Sequence, residues 1–243
     1  MRTIIALIIG LTLAWTSPIH AETTKLSHEE MFKQLSARAP KGDSDIKYNL
    51  GMFLSNGVGT KRDHQAALKL FSEAAAAGNA LAAYQLGRYY AGQFPNAVAA
   101  NDELAFKYTT IAAEAGYDLA QHDLARMLVK RGDLPGAVIW WERASRQGND
   151  IATAFLITYY TSNSSPDKIK GHGLMLLMRD SMPDAPKKFT ERLAATEAGA
   201  TPEERAAAEK IRASWITGRT PLTTAGQRGI SAVPELLERK ARR

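Results

Sequence analysis

The chain has 243 residues, of which 45% are hydrophobic and 23% charged, with 18 Gly, 10 Pro and no Cys. That balance excludes collagen-like, low-complexity and wholly disordered classes. Without cysteine the chain builds no disulfide framework, thiolate zinc site, iron–sulfur cluster or cysteine nucleophile.

Arg2 gives a positive start, Ile4 to Trp15 is an uncharged apolar run, and Thr16 to Ala21 is a polar exit ending in a small residue. Twelve apolar residues are too few to cross a bilayer core of about 30 Å, which takes about 20. The pattern predicts a secretory signal peptide over 1–21, cleaved near Ala21. The mature chain is then periplasmic, with no transmembrane segment. Residues 22–204 carry 21 basic and 22 acidic side chains, whereas 205–243 carry 9 and 3. The body is neutral and the tail basic, so the charge suits weak electrostatic contact between the tail and an anionic surface. It gives no reason to expect nucleic acid.

Ser27-His-Glu-Glu30 is a capping-box pattern. It predicts an N-terminal capping helix within 22–42, running to about Arg38 and closed by Pro40 and Gly42. A repeat follows over 43–180. Three segments open with Asp63, Asn101 and Asp133 and close with Gly78, Gly116 and Gly148. Counted from the opening residue, Ala stands at +4 and +11, with a large residue (Leu70, Tyr108, Trp140) at +7. These offsets share one face of a helix with an N-terminal cap and a C-terminal glycine. After each glycine a further helix carries Ala82, Leu86 and Tyr90, then Ala120, Leu124 and Leu128, then Ala152, Leu156 and Tyr160. A lone hairpin cannot cover both of its apolar faces, so neighbours stack. The expected fold is an all-α, right-handed solenoid of about four antiparallel helix hairpins. Capping helices are expected over 181–217, where Thr201-Pro-Glu-Glu204 opens one. A basic linker and tail is expected over 218–243, Gly/Thr-rich as far as Ser231, with one short basic helix over Pro234 to Arg243.

Leu50-Gly51, Gly57-Val-Gly59, Asp63, Ala67, Ala74-Ala75 and Gly78, followed by Leu86-Gly87, Tyr90 and Gly92, resemble the Sel-one-like repeat. That family is the bacterial-rich cousin of the tetratricopeptide repeat. The resemblance covers roughly Asp43 to Arg179. It departs from the family in the longer loop Gly92-Gln-Phe-Pro-Asn, in Ala125 at a glycine place, and in the very short loop ending at Gly132.

No catalytic, cofactor or metal constellation is legible. His28, His64, His122 and His172 have no mutual metal-ligand spacing, and Phe32 stands where a zinc-protease helix needs its second His. Gly57-Val-Gly59 lacks the third glycine and the preceding strand of a dinucleotide loop. Ser44-x-x-Lys47 and Ser165-x-x-Lys168 match a Ser/Lys acylation motif without its companion motifs; at such positions serine ordinarily caps a helix.

What a solenoid offers instead is a concave face, where a partner protein is expected to bind. Offsets +7 and +11 after the glycines read Gln85/Tyr89, Asp123/Met127 and Phe155/Tyr159, with Asn49/Phe53 in the first unit, and +10 adds Arg88 and Arg126. Tyr, Arg and Met are enriched where proteins bury one another. Arg88, Tyr89, Arg126, Met127, Tyr159 and Trp141 are therefore the candidate partner-binding residues, with the alternative that the aromatics and Met pack inside the stack. The function expected is a non-enzymatic interaction with another protein. The resemblance implies two forms of it: an immunity protein neutralising a secreted toxic effector, such as a type VI lipase, or an envelope scaffold for secretion or polysaccharide machinery. A Ser/Lys hydrolase acting on cell-wall or β-lactam substrates is the alternative of another class.

Overall fold

A computed structural model describes residues 26–41, 43–162 and 167–241; the expected signal peptide, Gly42, Ser165 and Arg242–Arg243 lie outside the described residues. The described elements are helical throughout. They are α1 (His28–Arg38), α2 (Ser44–Asn56), α3 (His64–Ala76), α4 (Ala80–Arg88), α5 (Asp102–Glu114), α6 (Asp118–Lys130), α7 (Leu134–Arg146), α8 (Asp150–Tyr160), α9 (Lys168–Ser181), α10 (Lys187–Gly199), α11 (Pro202–Ser214), α12 (Pro221–Arg228) and α13 (Val233–Ala241). Successive helices pack in sequence, so α2/α3, α4/α5, α6/α7 and α8/α9 are stacked hairpins of an α-solenoid.

The caps explain the boundaries. Asp63, Asn101 and Asp133 each accept a hydrogen bond from the backbone N–H three residues on, at 2.9 Å. Gly78, Gly116 and Gly148 have φ of 86°, 94° and 86°, which side-chain-bearing residues rarely adopt. That turn lets the N–H of Asn79, Tyr117 and Asn149 reach back to the carbonyls of Ala74, Ala112 and Ala144, satisfying them before the next helix starts.

Ala67, Ala74, Ala105, Ala112, Ala137 and Ala144 are fully buried, as are Ala82, Ala120 and Ala152 on the facing helices. Small residues at matched places bring the backbones together, and the large residue beside them fills what remains. That large residue is not the one expected. Leu70, Tyr108 and Trp140 are half-buried, and the filled slot is one place later, at Phe71, Thr109 and Trp141. A Cβ on Gly51 would stand 2.7 Å from the Phe71 ring, and one on Gly87 would stand 2.5 Å from Thr109 Oγ1. At these Leu-Gly pairs the neighbouring helix presses close, and the +8 side chain points into the gap.

Two further expectations are corrected. Ser27 caps α1 by accepting from Glu30 N–H, but the Glu30 carboxylate accepts from Gln34 rather than turning back, so only half of that capping box forms. The full box occurs at Thr201/Glu204. Within 218–243, α12 stands where a linker was expected, while α13 falls where the short basic helix was expected. Thr223 and Val233 have no exposed surface, and Leu237 is nearly as buried. Thr220 caps α12 by accepting from Thr223 N–H, with Pro221 at the first helical position. The segment that looked like a solvated tail is held against the repeats.

Candidate partner-binding face

The first helices of the hairpins lie side by side. Asn79 Nδ2 donates to Asp45 Oδ1 at 3.0 Å, linking α4 to α2, and Asn149 Nδ2 donates to Asp118 Oδ2 at 3.1 Å, linking α8 to α6. Tyr84 donates its hydroxyl proton to Asp123 Oδ2 at 2.9 Å, tying α4 to α6. Burial and then the Asp123 carboxylate hold this phenol well above the ordinary tyrosine range.

Expected residues fall on both sides of the surface. Tyr89 is fully buried, its hydroxyl 3.0 Å from Ser55 Oγ and 3.1 Å from His64 Nδ1. Phe94 covers it, with ring centroids 4.3 Å apart. The longer loop supplies that lid: α4 ends in a π-turn at Tyr89–Gln93, and Gly92 bends the chain at φ 82° so that Phe94 folds back. Trp141 is also buried and stacks on Phe155 with centroids 4.8 Å apart. Tyr89 and Trp141 are therefore packing residues. Tyr159 is half-buried against Tyr160 and the core of the last hairpins.

Arg88, Arg126 and Met127 come together. With Lys130, Gln93 and Thr109 they line a cleft of about 180 Å³ between the C-terminal halves of α4 and α6. Gln93 accepts from Arg88 Nε at 2.9 Å and Gln85 accepts from Arg88 Nη1 at 3.1 Å, which fixes the guanidinium plane. Arg126 is exposed and meets Asp123 at 3.7 Å. At this separation, and so open to solvent, the pair is screened and contributes little to stability.

Three large apolar side chains stand on this surface, of which Phe155 lies in the +7 row read from the sequence. Leu119, Ile151 and Phe155 are 39%, 59% and 41% exposed on the parallel helices α6 and α8. Leu119 and Ile151 both stand at +3 from their glycines, one turn before the +7 row, and that repetition is the signal in the sequence that marks them. His122 lies beside Phe155, with ring centroids 5.5 Å apart. Burial pulls its pKa down, against the opposing pull of Asp123.

The Ser/Lys arrangement does not assemble at Ser44. Lys47 Nζ lies 2.6 Å from Glu73 Oε2, engaged in an ion pair whose hydrogen bond holds the Glu73 carboxyl below its usual range. Among the described residues, no group of three or more His, Asp or Glu converges as a metal site, and no helix is long and apolar enough to cross a membrane.

The C-terminal segment follows the row of inter-repeat glycine turns. Trp215 Nε1 donates to Ser145 Oγ at 2.8 Å, and Arg146 lies over the Trp215 ring at 4.2 Å. Thr220 Oγ1 donates to Gly116 O at 2.8 Å, and Thr223 Oγ1 lies 2.8 Å from Gln147 Oε1. Thr223 also accepts from Asp118 N–H at 3.1 Å. This last bond replaces a missing cap, because Tyr117 occupies the place where Asn79 and Asn149 cap their own helices. Beyond it, α13 packs on α1, and Leu237 O accepts from Arg38.

The Sel1 repeat family model matches residues 47–79, 80–117 and 118–149. No curated protein matches the chain. Among solved structures, c5321, a protective antigen of uropathogenic Escherichia coli with an SLR fold, is 22% identical over 80% of this chain, with TM-score 0.47. The match spans half the length of that protein (50%). A Sel1 repeat protein from Oxalobacter formigenes is 29% identical over 52% of this chain and 97% of its own, with TM-score 0.46. The immunity protein Pa5087 from Pseudomonas aeruginosa is 18% identical over 87% of this chain and 82% of its own, with TM-score 0.34. Sel1 repeats form a protein-interaction fold. The chain therefore carries three Sel1 repeats in unbroken succession, each one hairpin of the stack.

Proposed function

We propose that this protein is a non-enzymatic periplasmic binding module that docks another protein on the open face of α6 and α8. The observation that carries the reading is the row Leu119, Ile151 and Phe155, large apolar side chains left 39%, 59% and 41% exposed on adjacent parallel helices. Apolar surface in such a row, edged by a charged rim, is the usual composition of a protein interface. The aromatic anchor is preorganised, since Phe155 is already stacked on the buried Trp141.

In the finer reading the partner is a secreted toxic effector, such as a type VI lipase, and the protein is an immunity protein that occludes it. Support comes from the signal-peptide pattern over 1–21 and from the single stripe of the repeat face, which suits a one-to-one inhibitor better than an adaptor joining several components. The experiment is protection. Cells exporting a toxin encoded beside this protein are expected to survive when the protein is co-expressed with its leader, and to die when Phe155→Ser and Ile151→Ser are introduced together. Failure to protect against any adjacent toxin returns the reading to an envelope scaffold. Protection that survives both substitutions moves the interface elsewhere.

A further inference from the structure

Resting on that reading, we infer that the partner segment seated here is bipartite, with apolar side chains on Leu119, Ile151 and Phe155 and a carboxylate in the cleft between α4 and α6. Leu119, Asp123, Arg126 and Lys130 occupy positions i, i+4, i+7 and i+11 of α6 and so form one stripe along its surface. The stripe begins apolar and ends basic, with Leu119 and Arg126 about 10 Å apart along the axis at about 1.5 Å per residue.

The cleft at the basic end is lined by Arg88, Arg126 and Lys130 against one carboxylate, Asp123. That carboxylate already accepts the Tyr84 hydroxyl proton and meets Arg126. Three cations facing one engaged anion leave a positive excess. Arg88 has its Nε and Nη1 committed to Gln93 and Gln85, so its plane is fixed before any partner arrives. A carboxylate matches a fixed guanidinium by charge-assisted hydrogen bonds, and Asp or Glu supplies one from a protein chain. The volume, about 180 Å³, admits a carboxylate side chain and not a globular element. The partner chemistry is therefore an acidic residue about two helical turns from an apolar pair.

The test needs no knowledge of the natural partner. A random peptide library displayed on phage is selected on the full mature protein and, in parallel, on the Arg126→Glu/Lys130→Glu variant. Both residues are exposed, so the fold is retained, and a thermal melt checks this. Wild type is expected to enrich peptides with apolar residues and Asp or Glu two turns away, whose affinity falls at least tenfold in 0.5 M salt. The variant is expected to exchange the acidic preference for a basic one. Apolar enrichment with no acidic preference, or an acidic preference unchanged in the variant, overturns the carboxylate inference and leaves the docking face standing. Enriched peptides that bind Phe155→Ser/Ile151→Ser unchanged overturn the docking face itself, and no enrichment on wild type counts against both.

Discussion

At corresponding places in the repeat, the two ends of the first-helix face present opposite surfaces. Gln85 and Tyr89 of α4 are 7% and 0% exposed, whereas Phe155 at the Gln85 place of α8 is 41% exposed and Met127 at the Tyr89 place of α6 is half-buried. The helices obey the same spacing, so spacing is not what differs. The connection is. After α4 the longer loop brings Phe94 over Tyr89 and the His64 ring, while the loop after α6 ends within three residues, at Gly132–Asp133, and its Arg131 lies over Phe106 of α5 instead. The first hairpins are covered again from below, where α13 joins α1 and α2 in one apolar cluster. On the first-helix face, one end buries Tyr89 in packing, and the other leaves Phe155 partly exposed for contact.

The sharpest way to break this comparison is Tyr89→Ala. A core aromatic deletion costs about 3–5 kcal/mol, and thermal melting is expected to register that loss; a change within about 0.5 kcal/mol would mean that Tyr89 is a surface residue after all. Thr223→Val comes next. It leaves the buried Asp118 N–H without its partner, at about 1–3 kcal/mol, while Gln147 Oε1 keeps the bond from Thr220 N–H. Amide exchange at the start of α6 should rise in the variant, and unchanged exchange would show that the cap from α12 is dispensable. Phe155→Ser should lower stability by only about 1–2 kcal/mol, since the ring is partly exposed and loses one stacking partner. Its binding should weaken at least tenfold, and the reverse pattern would erase the distinction between the two ends.

The smallest effect is a pH slope. Burial depresses the His122 pKa below its ordinary 6.5. Above that value the ring is neutral in both folded and unfolded chains, and it contributes no pH dependence. As the pH falls below about 6.5 the unfolded chain takes up the proton first, so stability declines until the folded pKa is reached. The slope is at most about 1.4 kcal/mol per pH unit. Urea melts between pH 7.5 and 5 should show it, and His122→Gln should remove its share.

Much of this architecture was legible from residue spacing. Alanine pairs, capping Asp or Asn and closing glycines are local instructions: each acts within one turn of the chain, and the three copies reinforce one another. The filled slot was misplaced by one residue, at Trp140 instead of Trp141, because two adjacent large side chains look alike until a neighbouring helix presses on one of them. The candidate site was legible only in part. Arg88, Arg126 and Met127 were placed on a common surface by register, whereas Tyr89 was buried by a loop whose path no periodicity describes, and Leu119 and Ile151 were passed over.

Within the repeats, the sequence by itself determined where helices begin and end and which of their faces meet. The tertiary structure alone decided which copies of that pattern stay exposed, and that residues 221–241 fold back along the turns. Tyr117 shows why. It breaks the cap that Asn79 and Asn149 supply to their own helices, and the remedy comes from Thr223, 105 residues further along the chain. A hydrogen bond between such distant residues leaves no periodic trace, because it depends on where the chain returns in space and not on what stands one turn away.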